Sequence, residues 1–175
     1  SNPRRFRVSE VIEAPESEPN TDRETATVCS PPIIINARSD QAGDVDYFTF
    51  TPSATGVIVV RAEAAVLDSI MQPLIEVFDA SGRQLAVARR VIDQDAVAVV
   101  DATAGEALQI RVHDVVYAGG ADYLYRLVVD SRPLAEAVLP FAMTGDASQS
   151  VTLFGRHLPG GEQTDWKIDD RPVQK

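Results

Sequence analysis

The sequence predicts an all-β protein, an antiparallel jelly-roll-like β-sandwich, on two observations. From Ile33 onward, short runs rich in Val, Ile, Phe and Tyr alternate with clusters of Gly, Pro, Asp and Ser. These runs recur every ~8–12 residues, which is typical of strands in a sandwich or barrel. No stretch keeps a convincing helical period over ~11 residues, since the nearest, residues 62–72, contains Asp68 and stops at Pro73.

Each strand is predicted from its own run of apolar or alternating residues. In the clearest case, Leu108, Ile110 and Val112 alternate with polar residues, so one face of the strand is core and the other is solvated. The segment 79–82 (Asp-Ala-Ser-Gly) is expected to close a hairpin. The predicted strands are residues 33–37, 47–51, 56–62, 74–79, 84–88, 96–100, 107–113, 124–129 and 151–154. The predicted core comprises Phe48, Phe50, Ile75, Val77, Leu108, Ile110, Val112, Tyr125 and Leu127.

Changes in composition along the chain predict three segments. Residues 1–25 are predicted to be an acidic linker, because residues 9–24 hold six acids, two prolines and few apolar side chains. Residues 26–132 form the predicted sandwich, and Ser-Arg-Pro at 131–133 marks its end. Residues 133–175 are fewer than an independent domain normally needs. They are expected to form a partial Ig-like domain or a packed tail.

Charge and cysteine content narrow the possible partners. The net charge of −10 argues against nucleic acid, which is bound by clustered Lys and Arg. No apolar run approaches the ~20 residues of a membrane span, so no membrane insertion is expected. Cys29 is the only cysteine and therefore cannot form an internal disulfide.

Two clusters of acidic and amide residues are candidate metal ligands. Glu16, Glu18 and Asn20 lie in the linker, and Asp40, Asp44 and Asp46 precede a strand; of these, all but Asp40 are the predicted ligands. Hard oxygen ligands in this number suit calcium, which needs ~6–8 of them from separate segments. The alternative is that these side chains are solvated charge and that Asp44 and Asp46 shape a turn. The sequence leaves both interpretations open.

No catalytic site is predicted from the sequence. The two histidines, His113 and His157, have no neighbouring nucleophile, and Asp114 follows His113 directly, which places the two side chains on opposite faces of a strand. The chain has no GxSxG, HExxH, phosphate-binding glycine loop or CxxC motif. We therefore expect a protein that is not an enzyme.

Several segments in order resemble a bacterial family. They are EPN at 18–20, NAR at 36–38, GDVDYFTF at 43–50, LDSIMQPLIEVFDASGRQLA at 67–86 and DYLYRLVV at 122–129. Together they resemble the pre-peptidase C-terminal domain. The resemblance implies a jelly-roll-like β-sandwich found in secreted proteins, often beside peptidases, with a role in export, targeting or substrate attachment.

The resemblance extends to the collagen-binding domains of clostridial collagenases. Those relatives bind calcium where an acidic linker meets the sandwich, and Glu16-x-Glu18-x-Asn20 looks like the corresponding linker motif. The present chain has only 6% aromatic residues and no evident tyrosine-rich strand face. The resemblance therefore implies a calcium site without implying collagen binding.

The expected function is that of a non-catalytic accessory module of a larger exported bacterial protein, located extracellularly, at the cell surface or in the periplasm. Its expected partners are neighbouring domains of the parent protein and an extracellular polymer or cell surface. The alternative is a carbohydrate-binding module, for which Tyr117 and Trp166 are the aromatic candidates, because sugar faces stack on exposed rings.

Overall fold

A computed structural model describes residues 7–90, 94–142, 145 and 148–175 of the chain. The first six residues of the predicted linker lie outside this range. The chain divides into two compact units, Ser1–Asp130 and Ser131–Lys175, and each is described by itself.

The first unit is a sandwich of two five-stranded sheets. One sheet has the order β1-β3-β10-β5-β8 and the other has the order β2-β4-β9-β6-β7. Without β1 and β2, these orders are the strand arrangement of an eight-stranded jelly roll. The strands are β1 (Glu13–Pro15), β2 (Thr27–Val28), β3 (Ile33–Arg38), β4 (Asp46–Phe50), β5 (Gly56–Glu63), β6 (Pro73–Asp79), β7 (Gln84–Arg89), β8 (Ala96–Ala102), β9 (Leu108–Asp114) and β10 (Leu124–Asp130).

The predicted fold class is confirmed, and so is the predicted core. Alternate residues of the strands point between the two sheets, because successive strand side chains face opposite ways. All nine predicted core residues belong to one cluster of buried side chains. The helical content of the described residues is limited to two 3-10 turns, Arg23–Thr25 and Ala65–Leu67.

The N-terminal segment contributes two strands that the sequence did not predict. β1 pairs in parallel with β3, and β2 pairs in parallel with β4, whereas the eight jelly-roll strands pair antiparallel. The chain can make parallel pairings here because β1 is followed by β2 in the other sheet before the chain returns to β3. The jelly-roll strands are therefore antiparallel as expected, and the two additional edge strands make each sheet mixed.

The predicted hairpin at residues 79–82 connects β6 and β7. Asp79 Oδ1 accepts hydrogen bonds from the backbone amides of Ser81 (2.9 Å) and Arg83 (3.0 Å). Gly82 has a φ of 85°, a left-handed conformation that glycine adopts without steric cost.

The second unit contains one four-stranded antiparallel sheet in the order β11-β12-β14-β13. Its buried apolar side chains are Phe154 and Val173. The strands are β11 (Leu134–Leu139), β12 (Thr152–Arg156), β13 (Gln163–Ile168) and β14 (Arg171–Gln174). In the described parts of both units, no helix has the length and apolar character needed to cross a membrane.

Candidate metal centre

Pairing of β1 with β3 positions the first acidic residue, Glu16. The Glu16 amide continues the parallel ladder by donating to Asn36 O (3.1 Å). Its carboxylate then turns back and accepts the amide of Arg38 (2.8 Å). Glu16 therefore lies at the end of β3, held by backbone groups of the jelly roll.

Asn20 fixes the next turn of the segment onto the other sheet. Its backbone N–H donates to Glu18 Oε2 (2.9 Å), and its backbone carbonyl oxygen accepts a hydrogen bond from the backbone N–H of Tyr47 in β4 (2.8 Å). The residue is fully buried. The segment 16–20 thus bridges an edge of the first sheet and an edge of the second.

Asp46, the first residue of β4, points inward and is also buried. Its Oδ2 accepts the hydroxyl of Tyr125 (2.5 Å), a fully buried side chain on β10 of the opposite sheet. This bond occupies one carboxylate oxygen. The sequence pattern had assigned Tyr125 to the core and had not indicated its partnership with Asp46.

Glu16, Glu18 and Asp46 converge on one point. Each offers a carboxylate oxygen, and these three atoms lie within 4.8 Å of one another. The Asn20 side chain joins them: in the orientation that donates to Glu16 (3.3 Å), its oxygen faces Glu18 Oε2 and Asp46 Oδ1, each at 3.2 Å. If the amide is rotated by 180°, its nitrogen donates to both carboxylates instead. Three carboxylates and one side-chain amide therefore meet here, and within the described residues no histidine or cysteine belongs to the group.

None of the three carboxylates of this group, of which Asp46 is buried, Glu16 is half-buried and Glu18 is exposed, has a basic partner among the described residues. By contrast, Glu13 and Glu63 share Arg126, and Asp130 pairs with Arg61 (2.9 Å). The nearby Arg38 side chain pairs with Asp40. Carboxylates gathered in a partly desolvated site repel one another unless a cation lies between them.

The titration behaviour reflects this crowding. Burial, with the nearby Glu18 and Asp40 charges, raises the pKa of Glu16 to about 7. Burial raises the pKa of Asp46 to about 8. The hydrogen bond from Tyr125 opposes this increase, and the neighbouring carboxylates add to it. Burial and the Asp46 charge hold the pKa of Tyr125 well above its usual value. Without a cation, protons therefore neutralise part of this site near pH 7.

Asp44 is close to the group but is not a member of it. Its Oδ2 accepts the amide of Asp40 (2.6 Å), and its Oδ1 accepts the amide of Val45 (3.1 Å). Both oxygens therefore shape the loop that leads into β4. Of the five predicted ligands, the structure brings Glu16, Glu18, Asn20 and Asp46 together and gives Asp44 this loop contact.

The chemistry of the group fits a hard divalent cation. Calcium prefers oxygen ligands from carboxylates and amides, tolerates irregular geometry and takes part of its coordination from water. A cavity of about 480 Å³ is lined by Glu16 and Glu18, together with Arg38 and Asp40, whereas Asp46 and Asn20 do not line it and are buried. Solvent therefore reaches the Glu16 and Glu18 side of the group.

The remaining candidate side chains do not assemble a catalytic group. His113 Nδ1 lies 2.8 Å from the backbone oxygen of Asp114, and its Nε2 is 3.7 Å from Glu76, beyond hydrogen-bond range. The Asp114 carboxylate accepts the amides of Gln72 (2.8 Å) and Val116 (3.0 Å). Cys29 is buried, and burial raises the pKa of its thiol to about 12.

Comparisons with known proteins identify no family. No family model and no curated protein matches the chain. Eight solved chains match, among them a β-glucosidase from Paenibacillus barengoltzii with 14% identity and a TM-score of 0.30. The match covers 70% of the present chain and 14% of that enzyme. A likeness at this level carries no argument about function.

Proposed function

We propose that this chain is a non-catalytic accessory module of an exported bacterial protein, in which calcium fastens the N-terminal segment to a jelly-roll sandwich. The observation that carries the proposal is the convergence of three carboxylates without a basic partner, where residues 16–20 meet β4. The segments resembling the pre-peptidase C-terminal domain support the same function.

A cation at this point would connect parts of the chain that are distant in sequence. Glu16 and Glu18 belong to the N-terminal segment, whereas Asp46 begins a jelly-roll strand and is bonded to the opposite sheet through Tyr125. Calcium would therefore fix the direction in which a preceding domain is joined to the sandwich. Extracellular modules bind calcium at about 10⁻⁴–10⁻³ M, which suits an exported protein.

The absence of catalysis is proposed on the geometry of the titratable groups. Among the described residues, His113 has no nucleophilic side chain in hydrogen-bond range. Glu16 and Asp46, the two carboxyl groups with raised pKa values, are hydrogen-bonded to the Arg38 amide, Asn20 and Tyr125, and no serine, cysteine or histidine side chain bonds to them in the described part of the chain. The sequence also lacks catalytic motifs. A positioning and attachment role is the function that these features support.

A melting experiment tests the calcium site. The wild-type protein is heated in chelator and in millimolar calcium, alongside Glu18→Gln and the matched control Glu106→Gln. Glu106 is an exposed acid on the turn between β8 and β9, at the opposite end of β4 from Asp46. Calcium at ten times its Kd should stabilise the wild type and the control by about 1.4 kcal/mol, a shift of several degrees.

Glu18→Gln should lose most of this shift, and magnesium should produce a smaller one, because it requires a tighter octahedron. Identical melting temperatures in chelator and in calcium would show that the group binds no calcium and is only solvated charge. A shift that Glu18→Gln leaves unchanged would place the ion elsewhere.

Carbohydrate binding is a second candidate function, favoured by two exposed aromatic rings. Tyr117 is 47% exposed and stacks on His113 with ring centroids 4.3 Å apart, and Trp166 is 58% exposed and stacks on Phe154 at 4.8 Å. Each ring is held by its neighbour while part of it faces solvent. Retardation in polysaccharide-containing gels that is lost in Tyr117→Ala or Trp166→Ala would support this function, and unretarded migration would exclude the polysaccharides used.

A further inference from the structure

The cavity of about 480 Å³ extends beyond the acidic group, since most of its lining residues are not candidate ligands of a cation. Its volume is within the range of ~300–1,000 Å³ that is common for small-molecule sites. All of the lining residues belong to the first unit. A cation at Glu16 and Glu18 would therefore use only part of the cavity.

Strand register brings four of the lining side chains together. Where β10 pairs with β3, Arg126 lies directly opposite Asn36, and Leu124 lies directly opposite Arg38. Paired residues, and residues two apart on one strand, share a face of the sheet. This face is the outer one, because Tyr125, between Leu124 and Arg126, belongs to the core. The outer face therefore presents two guanidinium groups, one amide and one leucine to the cavity.

A network of hydrogen bonds holds the polar side chains of the cavity in place. Arg126 is only 5% exposed and pairs with both Glu13 and Glu63. Glu13 in turn accepts a hydrogen bond from the side-chain amide of Asn36 (3.0 Å). Because these groups are already ordered, a ligand that bonds to them would cause little further loss of side-chain entropy.

The charges of the lining favour a neutral ligand. Four carboxylates and three guanidinium groups line the cavity. Each guanidinium group has a carboxylate partner, in the pairs Arg126–Glu13, Arg38–Asp40 and Arg7–Glu63. An anion would have to displace one of these carboxylates from a lining that holds more acids than bases, and a cation would be attracted to the acidic group instead.

The backbone of the outer face is already paired, which disfavours an extended peptide. β3 lies between β1 and β10, and β10 lies between β3 and β5. A peptide that adds to a sheet needs a free strand edge. Recognition on this face therefore depends on side chains. Hydroxyl groups suit such a lining, because each can donate to a carboxylate and accept from a guanidinium group or an amide.

We propose that this cavity binds a neutral sugar unit of an oligosaccharide or polysaccharide. The sugar hydroxyls bond to Asn36, Arg38 and Arg126, and the apolar C–H face of the ring contacts Leu124. Leu67 also lines the cavity and adds a second apolar group. The proposal goes beyond the calcium site, since none of these five residues belongs to the acidic group.

Mapping of amide chemical shifts by NMR tests the site. The full chain is titrated with neutral trisaccharides (maltotriose, cellotriose, xylotriose and chitotriose) and separately with digalacturonate, inorganic phosphate and trialanine. At least one neutral trisaccharide should shift the amides of residues 36–38 and 124–126, whereas the charged and peptide probes should not. Titrations in chelator and in millimolar calcium should agree, so failure of this proposal can be distinguished from failure of the calcium site.

Two variants, each with a matched control, locate the ligand. Arg38→Ala should raise the Kd about tenfold or more, because it removes a hydrogen bond to a charged group. Arg83→Ala, which removes the exposed pair with Asp79 on the other sheet, should leave the Kd unchanged. Leu124→Trp should fill the cavity and abolish the shifts. Val97→Trp should not, although Val97 has a similar exposure, 37% against 39% for Leu124.

Several results would overturn the proposal. They are the absence of shifts with every neutral trisaccharide, stronger binding of a charged or peptide probe, and an Arg38→Ala protein that binds like wild type. Shifts confined to the surroundings of Tyr117 or Trp166 would also overturn it, and would assign sugar binding to those rings. Arg38 is 45% exposed, so its alanine variant should fold and decides the outcome should Leu124→Trp not fold.

Discussion

Replacing Tyr125 by phenylalanine removes one hydroxyl from the centre of the sandwich and tests how the acidic group is connected to the core. The hydroxyl donates to Asp46 Oδ2 at 2.5 Å, and both side chains are no more than 1% exposed. A hydrogen bond to a charged group contributes about 1.5–3 kcal/mol, so this is the expected loss in the free energy of unfolding when Asp46 is ionised.

The loss should depend on pH, because the hydroxyl stabilises the ionised form of Asp46. The pKa of Asp46 is about 8, so the carboxyl is largely protonated at pH 6 and largely ionised at pH 9. Urea unfolding in chelator, followed by circular dichroism, measures the free energy of unfolding of both proteins. Tyr125→Phe should be less stable than wild type by about 1 kcal/mol at pH 6 and by more at pH 9.

Tyr123→Phe is the matched control, since Tyr123 is only partly buried against the same core. It should change stability by less than about 0.5 kcal/mol at either pH. A Tyr125→Phe protein as stable as wild type at pH 9 would refute the inferred connection between the acidic group and the core.

Four further outcomes are expected. In chelator, the free energy of unfolding should fall between about pH 5 and pH 9, by at most ~1.4 kcal/mol per pH unit for each carboxyl, because Glu16 and Asp46 keep protons in the folded state that they lose on unfolding. Stabilisation by calcium should grow over the same range, and melts at a series of pH values check both trends. Phe48→Ala should cost about 3–5 kcal/mol in urea unfolding, against less than ~1 kcal/mol for exposed Val116→Ala. Peptide, ester and glycoside substrates should not be hydrolysed, and turnover that disappears in His113→Ala would contradict the non-catalytic proposal.

The jelly roll could be predicted because its strands are long enough to carry a periodic signal. β9 alternates apolar and polar residues from Leu108 to His113, and its inward-facing Leu108, Ile110 and Val112 lie in the core as expected. β1 and β2 escaped prediction because two or three residues in an acidic, proline-containing segment cannot show a period. Their pairing depends on edges that only the folded sheets create.

The sequence predicted which types of residue form the acidic group, but it could not predict which individual residues belong to it. Glu16, Glu18 and Asn20 were selected as oxygen-bearing residues that resemble the linker motif of the calcium-binding relatives, and Asp46 was selected because it belongs to an acidic cluster just before a predicted strand. Sequence spacing could not separate Asp46 from Asp44, since the two differ in whether the carboxylate faces the core or caps its own loop. The contact of Asp46 with β10 is equally long-range, so no local pattern reports it.

The most direct test of the account is a calcium titration of chelator-treated protein by isothermal titration calorimetry at pH 8 in two buffers of different ionisation enthalpy. We predict binding at about 10⁻⁴–10⁻³ M with release of protons, because Glu16 and Asp46 must ionise to ligate the cation. Asp46→Asn should weaken binding at least about tenfold, while Glu106→Gln should bind like wild type. Absence of calcium binding, or binding that Asp46→Asn leaves unchanged, would contradict a calcium site at the junction of the N-terminal segment and the sandwich.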